Sequence, residues 1–173
     1  MPDRPPQHPD LPDGFGPIEL AMPGVLVVTA PPCPGMQPAA ERLVAAVQDP
    51  PRDAGWSPRQ SRRVDGVLEQ FCRWLDATRG LHDYPLVVLV DDARFAARSL
   101  DNFLWVTFTR SNPASDIAGG RSFEVDKHWG AAGPLVIDAR IKPHHAPPLA
   151  IDAAVSRKID QLAASGGPLA GLW

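Results

Sequence analysis

The 173-residue sequence contains little cysteine and no long apolar run. Two cysteines, Cys33 and Cys72, are too few for a disulfide scaffold in a chain of this length, so we expect reduced thiols. The apolar runs are far shorter than the ~20 residues that span a bilayer, and the first residues lack the apolar core of a secretory signal. These absences predict a cytoplasmic protein that has no membrane segment.

Excess positive charge is also missing. The chain has 17 Lys and Arg residues against 20 Asp and Glu residues, which gives a formal net charge of −3. Nucleic-acid-binding surfaces are normally basic or carry a basic stripe, so we expect no nucleic-acid partner. The sequence also lacks the glycine-rich phosphate motifs, the G-x-S-x-G nucleophile motif and the H-x-x-x-H, C-x-x-C and H-x-E metal motifs. We therefore expect no metal on this chain.

Proline, in contrast, is abundant. The chain has 21 prolines, of which 14 lie in the first 58 residues and six in residues 1–17. Proline lacks a backbone donor and has a fixed φ angle, so a proline-rich segment suits neither a helix interior nor a sheet interior. We predict a disordered or extended arm over residues 1–17 and one domain over residues 18–173. Because the chain starts with Met1 and this arm, we expect a complete short gene product, with a fragment of a longer parent as the alternative.

Short apolar runs alternate with amphipathic segments along the rest of the chain. Runs rich in Val, Leu and Ile predict buried strands, and segments that begin at a capping residue predict helices. The predicted strands are residues 24–30, 86–90 and 134–137. The predicted helices are residues 38–47, 58–79, 100–108 and 153–164, the last three capped by Ser57, Ser99 and Asp152. The pattern predicts an α/β fold, a single layered domain with a mostly parallel sheet flanked by helices.

Two of these helices are expected to bury one face against the sheet. The inward residues are Leu100, Phe103, Leu104 and Phe108 in the first of them, and Val155, Ile159 and Leu162 in the second. Residues 105–109 would equally suit a strand, because they are rich in β-branched and aromatic side chains.

Polar residues follow the predicted strands, where chemistry collects in open α/β sheets. Asp91 and Asp92 follow the second strand. They could bind a cation or exchange protons, but we favour the interpretation that one caps the next turn and the other is solvated. Cys33, after the first strand, is a candidate nucleophile. No partner base is identifiable, so we expect a small buried thiol there.

A larger polar cluster follows the third strand. Its members are Asp138, Arg140, Lys142, His144 and His145. Adjacent residues of an extended chain point to opposite sides, so the two histidines are not expected to share one metal ion. Neighbouring prolines stiffen the segment, which therefore suits a docking surface as well as a site.

Two further segments combine turn residues with charged or aromatic side chains. Arg110 and Asp116 are predicted to form a structural ion pair across a turn, and the alternative is that Arg110 faces a carboxylate or phosphate. Lys127, His128 and Trp129 are predicted to form part of a pocket wall, with a core position for Trp129 as the alternative.

Four segments resemble a known family. They are YPLVVLVDD at 84–92, NFLWVTFTRSNPASDI at 102–117, DKHWG at 126–130 and PLVIDARIKPHHAPPL at 134–149. In sequence and order they resemble the C-terminal domain of the UbiD-type decarboxylases, the 3-polyprenyl-4-hydroxybenzoate carboxy-lyase relatives that use prenylated FMN. The resemblance implies the fold of that domain for this chain.

The family members are much longer than this chain. Their N-terminal α/β domain and central flavin-binding barrel, which holds the cofactor contacts and a catalytic glutamate–arginine–glutamate set, have no counterpart here. The resemblance therefore implies no catalytic residue and no cofactor on this chain alone. It implies instead a partner, a UbiD-like flavin-binding large subunit that holds prenylated FMN with a metal ion.

The resemblance also implies a role for this chain. It would be the small subunit of a heteromeric UbiD-like decarboxylase or carboxylase, acting on an aromatic or α,β-unsaturated carboxylic acid. It would supply oligomer contacts, in a homo-oligomer or hetero-oligomer, and part of the substrate-pocket wall. The pocket or interface candidates are Lys127, His128, Trp129, Arg140, Lys142 and His144, and the structural candidates are Arg110, Asp116 and Asp138.

Two other classes of function stay open. The chain could be a non-catalytic assembly or interaction module, or a stand-alone enzyme that uses Asp138, Arg140 and His144 for acid–base catalysis. If the domain normally meets a neighbour, it should expose an apolar face larger than the few hundred Å² that are usual for a monomer.

Overall fold

The computed structural model describes residues 1–7, 10–34, 65–78, 81–145 and 152–171. These residues belong to two compact units, the first of which contains the described residues up to His145 and the second residues 152–171. The helix predicted over residues 38–47 and the predicted cap Ser57 lie outside the described residues.

A five-stranded mixed sheet forms the centre of the first unit. Its strands, in spatial order, are β1 (Ile18–Met22), β2 (Val25–Thr29), β3 (Leu86–Val90), β7 (Leu135–Asp138) and β4 (Ile117–Gly119). The three central strands are parallel, whereas β1 and β4 are antiparallel to their neighbours. The prediction of a mostly parallel sheet is therefore not confirmed, although the α/β class is.

The antiparallel edge at β1 comes from a short connection that the sequence pattern did not reveal, whereas β4 reaches β7 through a longer segment. β1 reaches β2 through a two-residue turn in which Gly24 has a φ angle of +81°. Tight turns of this kind join antiparallel strands, whereas a parallel pair needs a long crossover. A separate hairpin of β5 (Ser122–Val125) and β6 (His128–Ala131) was also not predicted.

Helices cover both faces of the sheet. They are α1 (Val67–Thr78), α2 (Ala93–Ala97) and α3 (Leu100–Thr109). Leu26 and Val28 of β2 lie in one apolar cluster with α1, while Val27 lies in the other cluster with α2 and α3. Successive strand residues point to opposite faces, so the two clusters are the two faces of one sheet.

The predicted cap of α3 is confirmed, but its predicted inward face is wrong. The Ser99 hydroxyl accepts a hydrogen bond from the backbone N–H of Asn102 at 3.2 Å. Phe103 is buried as predicted, whereas Leu100, Leu104 and Phe108 are 56%, 41% and 71% exposed. The helix is apolar on nearly every side, so its periodicity could not identify the face that packs on the sheet.

The described residues among 1–17 form no helix or strand, but hydrogen bonds hold them against the rest of the first unit. The hydroxyl of Tyr84 donates to the carbonyl of Arg4 at 2.6 Å, and the indole N–H of Trp74 donates to the carbonyl of Asp10 at 2.7 Å. Leu11 and Phe15 pack against the core cluster beneath α1. The described residues of this segment therefore pack against the fold. The domain boundary at residue 17 stays a prediction.

Removing the Phe15 ring should destabilise the chain if this segment is docked in solution. We expect Phe15→Ala to lower the free energy of unfolding by about 2–3 kcal/mol, below the usual cost for a fully buried ring, because Phe15 is half-buried. Arg4→Ala is the control, since Arg4 contributes its backbone carbonyl and the change should cost about 0.5 kcal/mol or less. Urea unfolding measures both, and equal values for the two variants would show that the segment is not docked.

The second unit contains α4 (Ala153–Ala163) among its described residues. The carboxylate of Asp152 accepts from the backbone N–H groups of Ala154 and Val155, so the predicted cap is confirmed. No residue of α4 is buried, and Val155 and Ile159 are 53% and 42% exposed. The prediction that these two residues point inward is therefore wrong.

Candidate functional site

Polar residues gather at the carboxyl ends of the three parallel strands. Pro31 and Cys33 follow β2, Asp91 follows β3, and the segment that starts at Asp138 ends β7 and continues beyond it. Because parallel strands end at the same edge of a sheet, these three segments meet there. This edge is the candidate functional site.

The guanidinium of Arg140 is the centre of the site and is 0% exposed. It donates to both carboxylate oxygens of Asp138, at 2.9 and 2.7 Å, and to both of Asp65, at 2.9 and 3.1 Å. A further N–H donates to the carbonyl of Pro31 at 2.6 Å. All five N–H donors of the side chain are therefore used, which leaves none for a ligand.

Lys142 lies beside Arg140 and is 1% exposed. Its ammonium donates to the carbonyls of Arg110 and Asp138, at 2.9 and 2.8 Å, and is 3.1 Å from a carboxylate oxygen of Asp116. An ammonium has three donors, so these partners saturate it. We call the group of Asp65, Asp116, Asp138, Arg140 and Lys142 the buried ion network.

The ion pair predicted between Arg110 and Asp116 is wrong, because each residue pairs with a different partner. The Arg110 guanidinium is 2.9 Å from the carboxylate of Asp91, and it also lies over the ring of Trp105. Asp116 pairs with Lys142 instead and accepts from the backbone N–H of Asn112 at 2.8 Å. Arg110 pairs across the fold with Asp91, whereas Asp116 both closes its own turn at Asn112 and pairs across the fold with Lys142.

The two aspartates after β3 have different tasks. Asp92 caps α2 by accepting from the backbone N–H of Phe95 at 3.0 Å, as predicted. Asp91 is not solvated in the way we expected, since it binds Arg110 and also accepts from the N–H of Ile141 at 2.9 Å. The contact with Ile141 thereby connects the end of β3 to the segment after β7.

Electrostatics keep two members of the network, Arg140 and Asp65, charged. Burial disfavours the charged form of Arg140, but its hydrogen bonds to Asp138 and Asp65 outweigh this effect and raise the pKa of Arg140 above its ordinary value. Burial likewise opposes ionisation of Asp65, but the bonds and charge of Arg140 lower the pKa of that carboxyl below its ordinary value. Such groups do not exchange protons near neutral pH, so the network suits structure rather than acid–base catalysis.

Cys33 adjoins this network and is an inert thiol. Its side chain is 3% exposed and makes no disulfide. Burial outweighs the nearby charge of Arg140 and raises the pKa of the Cys33 thiol to about 11. A nucleophilic cysteine needs a thiolate, which this environment disfavours. The expected buried thiol is therefore confirmed.

The two adjacent histidines differ in exposure. His144 is exposed, whereas His145 is half-buried and its Nδ1 accepts from the backbone N–H of Lys142 at 3.1 Å. Burial, followed by the charges of His144 and Lys142, lowers the pKa of His145 to about 4. In the ranges that the structure describes, no three His, Cys, Asp or Glu side chains are grouped so as to hold a metal ion.

The environment of His145 predicts a loss of stability in mild acid. The unfolded chain binds a proton at this histidine below its ordinary pKa of 6.5, but the folded chain does so only near pH 4. The free energy of unfolding should therefore fall as pH drops from about 6.5 to 4, by about 1–2 kcal/mol after allowance for solvent screening. His145→Asn keeps an acceptor for the backbone N–H of Lys142 and should remove most of this fall in the free energy of unfolding. His128→Asn should leave the fall unchanged. An unchanged profile in His145→Asn would contradict the assignment.

Lys127, His128 and Trp129 lie in the β5–β6 hairpin and not in the buried ion network. Asp126 and Lys127 form its turn with φ angles of +50° and +66°, and His128 and Trp129 begin β6. Trp129 is 52% exposed, so the alternative of a core position is wrong. The accessible candidates are thus the hairpin residues and His144, while Arg140 and Lys142 are inaccessible unless the network opens.

Asp65 is the residue of the network that the sequence analysis missed. Its carboxylate binds Arg140 and also accepts from the backbone N–H of Val67 at 3.1 Å, at the start of α1. An acidic residue just before an amphipathic helix is a recognisable capping signal. Its pairing with a residue 75 positions later had no such signal.

The fit of a flavin to the buried ion network can be judged from these contacts. A flavin phosphate needs unpaired donors, and Arg140 and Lys142 have none to spare. The network therefore does not fit the phosphate of prenylated FMN.

Comparison with known proteins gives relatives in one group. The chain is 33% identical over 81 residues to a 4-hydroxybenzoate decarboxylase subunit from Chlamydia pneumoniae, a match that covers 47% of this chain and 14% of that protein. The predicted resemblance to a decarboxylase subunit is confirmed over these 81 residues. An uncharacterized protein of Chlamydia trachomatis serovar D is 34% identical over 79 residues, covering 46% of this chain and 14% of its own length. The chain thus matches about one seventh of the length of these relatives, and no protein-family model matches it.

Two solved structures of vanillic acid decarboxylase from Sedimentibacter hydroxybenzoicus, both in an open form, overlap this chain with TM-scores of 0.36 and 0.35. Their identities are 13% and 12%, and the matches cover 82% and 88% of this chain but 28% and 30% of theirs. The sequence relatives, rather than these structures, support the relationship. In the part of the chain that the structure describes, no helix is long and apolar enough to cross a membrane.

Proposed function

We propose that the chain is the small subunit of a heteromeric UbiD-like decarboxylase or carboxylase in the cytoplasm. The observation that supports this most is the sequence match to the 4-hydroxybenzoate decarboxylase subunit from Chlamydia pneumoniae. The structure adds a second argument, because the polar cluster at the strand ends is saturated and buried. A site without an accessible proton donor or a thiolate suits a subunit whose reacting groups lie on another chain.

The proposed partner is a UbiD-like large subunit that holds prenylated FMN and its metal ion. The reaction would be the reversible removal of CO₂ from an aromatic or α,β-unsaturated carboxylic acid. This chain would position the substrate and exclude water from it. The exclusion of water strengthens electrostatic interactions at a cofactor that is bound on the partner chain. It would also supply contacts for the assembly.

The hairpin is the part of the chain that we assign to the pocket wall or the interface. Lys127, His128 and Trp129 are exposed there, and Phe123 and Val125 on the paired strand are 50% and 58% exposed. An isolated two-stranded hairpin is only marginally stable in water, so a partner that covers it would stabilise it. Arg140 and Lys142 would act indirectly, by fixing the segment that presents His144.

A rate measurement tests this proposal. A UbiD-like large chain from the same organism, loaded with prenylated FMN, is assayed for CO₂ release from 4-hydroxybenzoate with and without this chain. We expect addition of the chain to raise the rate at least ~10-fold, which corresponds to about 1.4 kcal/mol in the barrier. The triple variant Lys127→Ala, His128→Ala, Trp129→Ala should lose the increase, and Arg94→Ala, which changes an exposed helix residue, should keep it. An unchanged rate despite stable association would favour the non-catalytic assembly module.

The stand-alone acid–base enzyme has no support in the geometry. Asp138 and Arg140 are buried and bind each other, while His144 is exposed and stacks edge-to-face on His145. Asp138 and Arg140 are buried and saturated by protein partners, so neither is within reach of a substrate proton.

A further inference from the structure

The β5–β6 hairpin is joined to the five-stranded sheet by two short links, which together we call the neck. Residues 120–121 connect β4 to β5, and residues 132–134 connect β6 to β7. Three backbone hydrogen bonds close the neck. They run from the N–H of Gly120 to Pro134, from that of Gly133 to Gly120 and from that of Ala132 to Arg121, at 2.9, 2.9 and 3.3 Å. The direction of the hairpin relative to the sheet therefore depends on these few residues.

The two links of the neck are in direct backbone contact. A Cβ atom at Gly133 would lie 3.0 Å from the carbonyl oxygen of Gly120 and 3.1 Å from the carbonyl carbon. Backbone atoms cannot turn aside as the end of a flexible side chain can, so this close approach favours glycine at position 133. The neck is thus narrow, and a displacement of one link changes the direction of the hairpin.

A side chain from outside the hairpin holds the neck. Asp76, in the last turn of α1, accepts a hydrogen bond from the backbone N–H of Arg121 at 2.6 Å. Arg121 has a φ angle of +51°, a left-handed conformation that is uncommon for residues other than glycine and costs free energy. The bond to Asp76 favours this conformation, because it forms only when the N–H of Arg121 points toward α1.

The position of Asp76 is unfavourable for its own helix. The last turn of a helix carries a partial negative charge, so the helix dipole repels a carboxylate there. The last turn of α1 contains no basic residue that would offset this repulsion. The contact with the neck, rather than the stability of α1, therefore explains a carboxylate at this position.

We propose that Asp76 is a positioning residue that fixes the direction of the hairpin relative to the sheet. The inference rests on the proposed function, which assigns Lys127, His128 and Trp129 of this hairpin to the pocket wall or the interface. β5 is four residues long, so the hairpin turn lies ~13 Å from the neck at ~3.3 Å per residue. A rotation of about 5° at the neck moves the turn by about 1 Å, a displacement that can cost a large factor in rate at a reacting centre.

Amide hydrogen exchange of the full chain, followed by NMR, tests the contact. Asp76→Ala should speed exchange at Gly120, Ala132 and Gly133 at least ~10-fold, the effect expected for loss of a hydrogen bond to a charged acceptor. These three N–H groups donate to backbone carbonyls and not to Asp76, so their faster exchange would report opening of the neck. Asp76→Asn keeps an acceptor and should stay within ~3-fold of the wild-type rates. Asp83→Ala, the control, removes another exposed aspartate of the first unit and should leave the rates unchanged.

A second substitution perturbs the neck from its other link. Gly133→Ala places a methyl group 3.0 Å from the carbonyl oxygen of Gly120, and it should speed exchange at Gly120 and Ala132 at least ~10-fold. Gly66→Ala is the matched control, because a Cβ atom there meets no atom of the described residues within 4 Å. It should keep both exchange rates within ~3-fold of wild type. Circular dichroism and thermal unfolding show that the variants are folded.

Rate measurements with the flavin-loaded large chain connect the neck to the reaction. Asp76→Ala should lower the maximal rate of CO₂ release at least ~5-fold. The concentration of this chain that gives half of the rate increase should change by less than about 2-fold, because the direction of the wall affects the reacting geometry more than the association. Asp76→Asn should recover most of the wild-type rate.

Two results would overturn the proposal. The first is exchange at Gly120 and Gly133 that Asp76→Ala leaves unchanged, which would show that Asp76 does not hold the neck. The second is faster exchange in Asp76→Ala with an unchanged maximal rate, which would show that the direction of the hairpin does not affect the reaction. If the wild-type chain itself gives no rate increase, the proposed function fails, and the role of Asp76 in the reaction fails with it. The exchange rates, measured without the large chain, then still show whether Asp76 fixes the hairpin.

Discussion

Replacing Arg140 by methionine is expected to lower the free energy of unfolding by about 3–5 kcal/mol. Methionine fills much of the same volume but removes the positive charge that two carboxylates share. The carboxylates of Asp138 and Asp65, whose side chains are 7% and 14% exposed, would then be desolvated without their counter-ion. Urea unfolding followed by tryptophan fluorescence measures the loss.

A matched substitution shows whether the effect belongs to the network. Arg94→Met removes a guanidinium that is 79% exposed and 3.8 Å from Glu19, and it should cost about 0.5 kcal/mol or less. Arg140→Lys retains the charge but cannot bind two carboxylates side by side. Its loss in free energy of unfolding should therefore lie between those of Arg140→Met and Arg94→Met. If Arg140→Met cost no more than Arg94→Met, the network would not stabilise the fold.

The second large effect is expected at Phe71. This side chain is 0% exposed, and its ring centre lies 5.1 Å from that of Phe15 and 5.3 Å from that of Trp74. Phe71→Ala should therefore lower the free energy of unfolding by about 3–5 kcal/mol through lost burial and a residual cavity. Chemical denaturation of the isolated chain is the suitable measurement.

Phe108→Ala is the control for Phe71→Ala, because it deletes the same ring from a residue that is 71% exposed. We expect its effect to stay within about 0.5 kcal/mol under the same conditions. The sequence pattern predicts Phe108 to be inward, whereas the structure leaves this residue exposed. Similar losses for the two variants would mean that the outer face of α3 is covered in the isolated chain.

The central strands and the helix caps could be predicted from the sequence. β2, β3 and β7 are short runs of Val, Leu and Ile that are apolar on both faces, which is typical of a strand covered by helices on both sides. Ser99 and Asp152 cap their helices through local hydrogen bonds that depend on two or three neighbouring residues. Features set by neighbouring residues can be found without knowledge of the fold.

The partners within the site could not be predicted in the same way. Arg110 pairs with Asp91 rather than with Asp116, which is nearer in the sequence. Arg140 binds Asp65, which is distant in the sequence. These pairs depend on which strand ends the sheet brings together, and that order follows from tertiary packing. The residue types predicted a polar cluster at this edge of the sheet. Which of these residues pair, and how deeply they are buried, depends on the tertiary structure.

The edge elements were missed for a different reason. β1, β4 and the β5–β6 hairpin contain half-buried or exposed residues and tight turns rather than apolar runs. Strand propensity in such segments depends on the neighbouring strand and on the turn, so the sequence alone gives little signal. β1 and β4 make the five-stranded sheet mixed rather than mostly parallel, while the hairpin forms a separate two-stranded sheet.

Native mass spectrometry of the co-expressed pair, combined with an absorption spectrum of each species, tests the central claim most directly. We predict a complex that contains this 18.7 kDa chain and the large chain, with flavin absorbance in the complex and none in the isolated small chain. The small chain on its own should release no CO₂ from 4-hydroxybenzoate. A flavin bound to the isolated chain, or turnover by it, would contradict the account.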